Sequence, residues 1–140
     1  MNKITGTISA ITYSGEMYLA DIAVQGGITL TAIAIGSERN EEPLKIGKEV
    51  TVCFKATELS IAKDDIGDVS LRNRLPGQIK KIKMGELLCQ VTIDFFGNSI
   101  VSIITARSAE RIGIQEGDDV TGLIKANEMI LFEEQDGIIF

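Results

Sequence analysis

The chain has 140 residues, is 44% hydrophobic, contains no histidine or tryptophan, and carries a formal charge of −6. The missing histidine removes the commonest general base and transition-metal ligand, which weighs against an enzyme. The acidic balance weighs against a nucleic-acid binder, which needs a basic footprint, so any anion site must act through local geometry rather than long-range attraction.

Apolar residues alternate through short segments broken by glycines and charged turns, a period of two that predicts strands. In chain order these are Lys3–Thr12, Tyr18–Gln25, Ile28–Ile35, Glu49–Phe54 and Glu58–Ala62. Residues Ser37–Leu44 are irregular, with Pro43 where a helix would stop, and Lys63–Asp68 reads as a short polar turn. The second half repeats the pattern at Gly77–Lys83, Leu87–Phe95, Ser99–Thr105, Asp119–Lys125 and Glu128–Phe132. Between its third and fourth strands, Ser108 to Gly113 offers an N-cap serine, helix formers and a glycine stop, which predicts a helix of one to two turns. A last strand is expected at Ile138–Phe140, after a turn at Glu133–Gly137. Cys53 and Cys89 lie in apolar runs without neighbouring ligands, so they read as packing thiols of a reducing compartment. No stretch approaches the length of a membrane span and the opening residues lack a signal-peptide pattern, so the expected address is the cytoplasm, without membrane insertion.

The two halves are one unit of about seventy residues written twice. An offset of seventy aligns Gly15/Gly85, Glu16/Glu86, Gly27/Gly97, Gly47/Gly117, Lys55/Lys125, Ala56/Ala126 and Glu58/Glu128, and an extra residue in the Thr12–Ser14 turn makes the offset seventy-one for Gly6/Gly77 and Ile8/Ile79. The expected fold is all-β: two tandem OB-like small barrels, each with about five strands and a short helix, over residues 1–66 and 67–140. Rigid packing with exchange of edge strands is expected, and free strand edges favour self-association.

Polar residues repeat less faithfully than glycines. The second unit carries Ser70, Arg72 and Asn73 at its start, Thr105 at a strand end, and Lys125-Ala126-Asn127. Two cations, hydroxyls and a carboxamide form a donor set suited to an anion, with Arg as a planar fork and Lys as a point charge. The same residues also fit a plain exposed strand start and a lysine that guards a strand edge, and Lys55 sits in the equivalent place in the first unit.

The spaced elements Ser70-Leu71-Arg72-Asn73, Leu75, Gly77, Gly85, Thr105, Ser108-Ala109, Gly113-Ile114, Gly117 and Lys125-Ala126 together resemble the molybdate-binding Mop domain. The first unit resembles a degenerate copy, so the chain resembles a paired-Mop protein of the molbindin kind. That module also ends molybdate-responsive regulators, and a related one ends molybdate-importer ATPase subunits. The resemblance implies OB-like units assembled into homo-oligomers (dimer, trimer or larger) that bind molybdate or tungstate at subunit interfaces, with no cofactor, no catalysis and no nucleic acid. It further implies an intracellular storage, homeostasis or sensing role, with a transporter ATPase or regulator as a possible partner. Carried over, it assigns oxyanion contacts to Ser70, Arg72, Asn73, Thr105, Lys125 and Ala126. In the first unit Met1 stands opposite Arg72 and Ile35 opposite Thr105, leaving Lys55 and Ala56 as a possible second site. An OB-type module for another ligand is the remaining alternative.

Overall fold

A computed structural model of the chain describes residues 1–36, 44–64, 66–133 and 137–138, with backbone alone for 133, 137 and 138. The strands run β1 (Asn2–Ser14), β2 (Met17–Ala23), β3 (Thr29–Ile35), β4 (Glu49–Phe54), β5 (Ser60–Lys63), β6 (Asn73–Met84), β7 (Leu88–Phe95), β8 (Asn98–Thr105), β9 (Asp119–Ile124), β10 (Ile130–Glu133) and β11 (Gly137–Ile138). One helix, α1 (Ala106–Ile112), joins β8 to β9. The irregular stretch 37–43, with Pro43, and residues 139–140 of the expected last strand lie outside the described residues.

All strand pairs are antiparallel and form two sheets, in the orders β11-β10-β4-β1-β2-β3 and β5-β9-β6-β7-β8. The expected exchange of strands is reciprocal. β5 leaves the first repeat to pair with β9, with Ser60 opposite Leu123, and β10 returns to pair with β4, with Ile130 opposite Cys53. The fifth strand of each OB-like unit therefore comes from the other repeat, so the two units share one continuous apolar core that includes Phe54, Leu59, Phe95, Ile124 and Leu131. Lys63, at the end of the crossing β5, fastens it by donating to the Gly113 carbonyl at 2.9 Å and pairing with Asp118 at 3.2 Å. Cys53 and Cys89 are free and buried, and burial pushes both thiols above their ordinary range.

The repeat is deeper than side-chain identity. Both long first strands carry a bulge at the same place, between Ile8 and Ala10 and between Ile79 and Lys81. Gly6 and Gly77 also answer the same demand: a Cβ would meet the Ala23 carbonyl oxygen at 2.6 Å in one copy and the Asp94 carbonyl oxygen at 2.5 Å in the other. Only glycine lets the two strands approach so closely.

Four expectations need correction. The register steps at a different turn: Ile8 pairs with Ile22 and Ile79 with Ile93, so the offset stays seventy-one through the second strand. The extra residue lies in the β2–β3 turn, where five residues separate Ala23 from Thr29 but four separate Asp94 from Ser99. Gly15 and Gly85 are therefore not equivalent: Gly15 takes a positive φ of 61° at a hairpin tip, whereas Gly85 closes its hairpin by donating to the Leu88 carbonyl at 2.8 Å. Second, the strands expected to begin at Glu58 and Glu128 begin two residues later, because Ala56–Glu58 and Ala126–Glu128 form 3-10 turns closed by Glu58 N–H to Lys55 O and Glu128 N–H to Lys125 O. Third, Lys55 and Lys125 are accordingly not mid-strand edge guards; each stands just past a strand end with extended backbone. Fourth, the helix cap is Thr105, not Ser108. Its Oγ1 accepts from the Ser108 N–H at 3.1 Å, which starts α1 three residues early, while Gly113 ends it in the left-handed region as expected.

Candidate functional site

The chain reaches the site through one buried side chain. Asn73, at the start of β6, is fully buried, and its Oδ1 accepts from the Thr31 N–H at 2.6 Å while its Nδ2 donates to the Thr31 carbonyl at 2.9 Å. A carboxamide carries a donor and an acceptor side by side, so it satisfies the backbone N–H and C=O of one residue together, as burial requires. It fastens the segment Ser70–Asn73 to β3 of the other sheet. The first repeat repeats the device: Asn2 accepts from Val101 N–H and donates to Val101 O, both at 2.8 Å. Asn73 is thus a strut, with both polar atoms of its carboxamide engaged on Thr31.

Beside the strut is a solvent-open cavity of about 340 Å³, lined by Ser70, Arg72, Lys125, Ala126 and Asn127 from the second repeat and by Leu19, Thr31 and Ile33 from the first. The residues reach it from three directions. Ser70 and Arg72 come from the segment that Asn73 pins. Lys125 and Ala126 come from the 3-10 turn after β9, which packs on β3. Leu19 and Ile33 come from the outer face of the paired strands β2 and β3. Four of the six residues assigned from the sequence therefore meet at one place, around a guanidinium, an ammonium, a hydroxyl and the backbone of a tight turn. These groups donate hydrogen bonds and carry positive charge, so the corner suits an anion that accepts at every oxygen.

Thr105 is not there. It ends β8 on the opposite sheet, where its hydroxyl caps α1 and donates to Ser108 Oγ at 2.9 Å. β8 packs on the other 3-10 turn, the one that follows Lys55, and Ser102 Oγ donates to the Leu59 carbonyl at that contact. By the repeat, Lys55 and Ala56 mark a second corner beside β8, the counterpart of the one at Lys125 and Ala126. Within one chain Lys55 does not share the cavity of Ser70 and Arg72. The two corners approach each other at Glu58 and Glu128, which end the twin turns; a hydrogen bond between these carboxyls, with burial second, raises Glu128 above the ordinary glutamate range.

One polar residue of the corner escaped the sequence reading. Thr31 is 4% exposed; its Oγ1 donates to Asp21 Oδ1 at 2.7 Å and accepts from Arg72 Nε at 3.4 Å. The signal was present, since the second repeat has Val101 opposite Thr31, and an unequal pair within a faithful repeat points to function. A larger cavity of about 670 Å³ is lined by Asp64, Asp94, Asp119 and Phe96 among others. Three carboxylates repel an anion, so size does not make it the anion site. Among the described residues no helix is long and apolar enough to cross a membrane, and no cluster of three or more His, Cys, Asp or Glu groups is placed to hold a metal ion.

Two strand-exchanged OB-like units with a cation-lined corner between them define a tandem β-barrel module. Two family profiles, each described as a TOBE domain, match residues 1–62 and 70–131. The chain belongs to the TOBE-domain family, in its tandem Mop form. It is 31% identical over 133 residues to the molybdenum-pterin-binding protein MopA of Rhodobacter capsulatus, covering 93% of this chain and 50% of MopA. It is 27% identical over 132 residues to the DNA-binding transcriptional dual regulator ModE of Escherichia coli K12, again covering 93% of this chain and 50% of the relative. The chain therefore spans about half the length of these curated relatives. Among solved structures, the cytoplasmic molybdate-binding protein ModG with molybdate bound superposes with a TM-score of 0.86 at 30% identity, covering 98% of this chain and 95% of that one.

Proposed function

We propose that this chain binds molybdate or tungstate reversibly in the cytoplasm, for storage, homeostasis or sensing, without any bond chemistry. The observation that carries the reading is the convergence of Ser70, Arg72, Lys125 and Ala126 on one cavity, beside a strut that holds the backbone in place. The likeness to ModG, whose structure holds molybdate, supports the choice of anion.

A tetrahedral dianion leaving water loses strong hydration, so its oxygens need donors and its charge needs cations. Arg72 offers a fork, Lys125 a point charge, and the Ala126 turn backbone N–H groups. Sulfate has the same charge and shape, so discrimination rests on size; hydrogen phosphate brings a proton for which an all-donor shell holds no acceptor. The corner is open, and the apolar surface beside it is unusually exposed: Met17 is 51%, Leu19 41% and Ile35 70% accessible. Contiguous exposed apolar residues beside a binding site mark an interface. A second copy of the chain placed there closes the corner, and bound anion then stabilises the oligomer by mass action. Units 1–66 and 67–140 act as unequal partners in this scheme, the second supplying the charged ligands and the first a wall.

A regulatory role is the second reading, favoured by the match of nearly the whole chain to half of the regulator ModE. There the loaded surface is read by a regulator or a transporter ATPase. Calorimetric titration with molybdate, tungstate, sulfate and phosphate tests the main reading. Micromolar or tighter binding of the first two, with sulfate and phosphate much weaker, is expected. Equal binding of all four, or none, refutes it.

A further inference from the structure

An arginine on an exposed segment explores many rotamers, and a site that relies on its fork loses affinity for each one it must freeze. Arg72 is exposed, yet its Nε is engaged by Thr31 Oγ1 at 3.4 Å. The threonine itself is set by a further contact. Its single hydroxyl proton goes to Asp21 Oδ1 at 2.7 Å, so the oxygen it turns to Arg72 is an acceptor. Asp21 and Thr31 face each other directly across β2 and β3, which fixes the pair by strand register. Residues 72 and 73 thereby grip residue 31 twice, Asn73 through its backbone and Arg72 through its side chain.

Only half of this device is duplicated. In the counterpart corner Asn2 grips Val101 in the same backbone manner, but Val101 has no hydroxyl and Asp21 is matched by Thr92. The duplicated half serves the fold. The unduplicated half has no structural counterpart to explain it, and it ends on the guanidinium of the charged corner.

We propose that Thr31 is a positioning residue for Arg72 and that Asp21 sets the orientation of its hydroxyl, so the first repeat aims a ligand that the second repeat carries. With Nε engaged, the two terminal nitrogens of the guanidinium remain as the fork that meets adjacent oxygens of a bound oxyanion. Thr31 gives the anion no donor of its own, because its proton is spent on Asp21. The inference rests on the reading of the Arg72 corner as the oxyanion site.

Calorimetric titration of the full chain with molybdate tests it, using Thr31→Val, Thr31→Ser, Arg72→Ala and the double variant Thr31→Val with Arg72→Ala. Valine keeps the shape of threonine, and Asn73 still holds the residue 31 backbone. Thr31→Val is expected to weaken binding about five- to tenfold, the scale of one ordinary net hydrogen bond, as suits a contact of 3.4 Å. Thr31→Ser should stay within about twofold of the wild type, since it retains the hydroxyl. In the Arg72→Ala background Thr31→Val should add nothing. Wild-type affinity of Thr31→Val, or a full additional loss on top of Arg72→Ala, overturns the positioning role while leaving the site standing. Wild-type affinity of Arg72→Ala overturns the site and the inference with it. Should Thr31→Val fail to fold, Asp21→Leu carries the same expectation of a five- to tenfold loss, and its wild-type affinity overturns the inference equally.

Discussion

Replacing Asn73 by alanine removes the strut on which the corner is built. The side chain is fully buried, and its two polar atoms are the hydrogen-bond partners of Thr31 N–H and C=O at 2.6 and 2.9 Å. Alanine leaves both backbone groups without those partners, at about 1–3 kcal/mol each, and adds a small cavity. Water reaching the gap offsets part of this, so a net loss of about 3 kcal/mol follows, or a fall in melting temperature of roughly 10 °C for a chain of this size. Asn73→Asp adds a test of sign. At neutral pH the introduced carboxylate still accepts from Thr31 N–H but faces Thr31 O without a proton, and it is buried. Its pKa in the folded protein is raised above that of the unfolded chain. The protonated acid restores the missing donor, so stability is present at low pH and is lost as pH rises through the raised folded value. Thermal unfolding followed by circular dichroism between pH 5 and pH 8 should show Asn73→Asp losing stability relative to the wild type as pH increases. A melting temperature within 2–3 °C of the wild type for Asn73→Ala, a loss well below the expected scale, refutes the strut.

Three further outcomes follow from the same geometry. Gly77→Ala places a Cβ 2.5 Å from the Asp94 carbonyl oxygen and 2.6 Å from Ile93 Cγ2, which overpacks two paired strands and should cost about 1–3 kcal/mol in a denaturant melt; an unchanged midpoint contradicts the close approach. Glu128 is raised by its hydrogen bond to Glu58, so the folded protein gains stability as pH falls from neutral through that raised value to the ordinary glutamate range near about 4.3. Glu128→Gln should therefore melt slightly higher at pH 7, by about 0.5 kcal/mol because solvent screens the pair, and the advantage should close in acid. An advantage that grows on acidification contradicts the assignment. Lys125→Ala should weaken molybdate binding about tenfold or more, whereas Lys55→Ala should lower the number of oxyanions bound per chain if the second corner loads. Unchanged stoichiometry in Lys55→Ala removes that corner from the account.

Much of this molecule was legible before any coordinates. Alternation of apolar residues located ten strands, because a half-buried strand shows its period directly. The glycine repeat located Gly6 and Gly77 at the same close approach. Strand partners were less readable: period two tells which side chains share a face but not which strand lies alongside, so the β5–β9 and β10–β4 pairings could be expected only as exchange of some kind. The register step was misplaced because Gly15 and Gly85 coincide one residue out of phase, and an identity of letters does not report φ. Hydroxyls and amides were the least readable. Thr105 is a strand-end threonine whose oxygen suits an anion shell and a helix cap equally, and within this chain it caps α1. Asn73 joined the expected donor set for its carboxamide and its place in the family pattern, yet alternation along β6 turns residue 73 inward. Thr31 was missed for the opposite reason: it sits in an apolar run, and in the sequence only its mismatch with Val101 of the other repeat separates it from an ordinary strand residue.

The most direct test is a crystal structure of the full chain grown with molybdate, with the anion located by the anomalous scattering of molybdenum. The account predicts a molybdenum peak in the corner of Ser70, Arg72 and Lys125, with oxygens within hydrogen-bonding distance of the Arg72 guanidinium and a second copy of the chain closing the open side. A peak found only in the acidic cavity beside Asp94 and Asp119, or no ordered molybdenum at a saturating concentration, contradicts it.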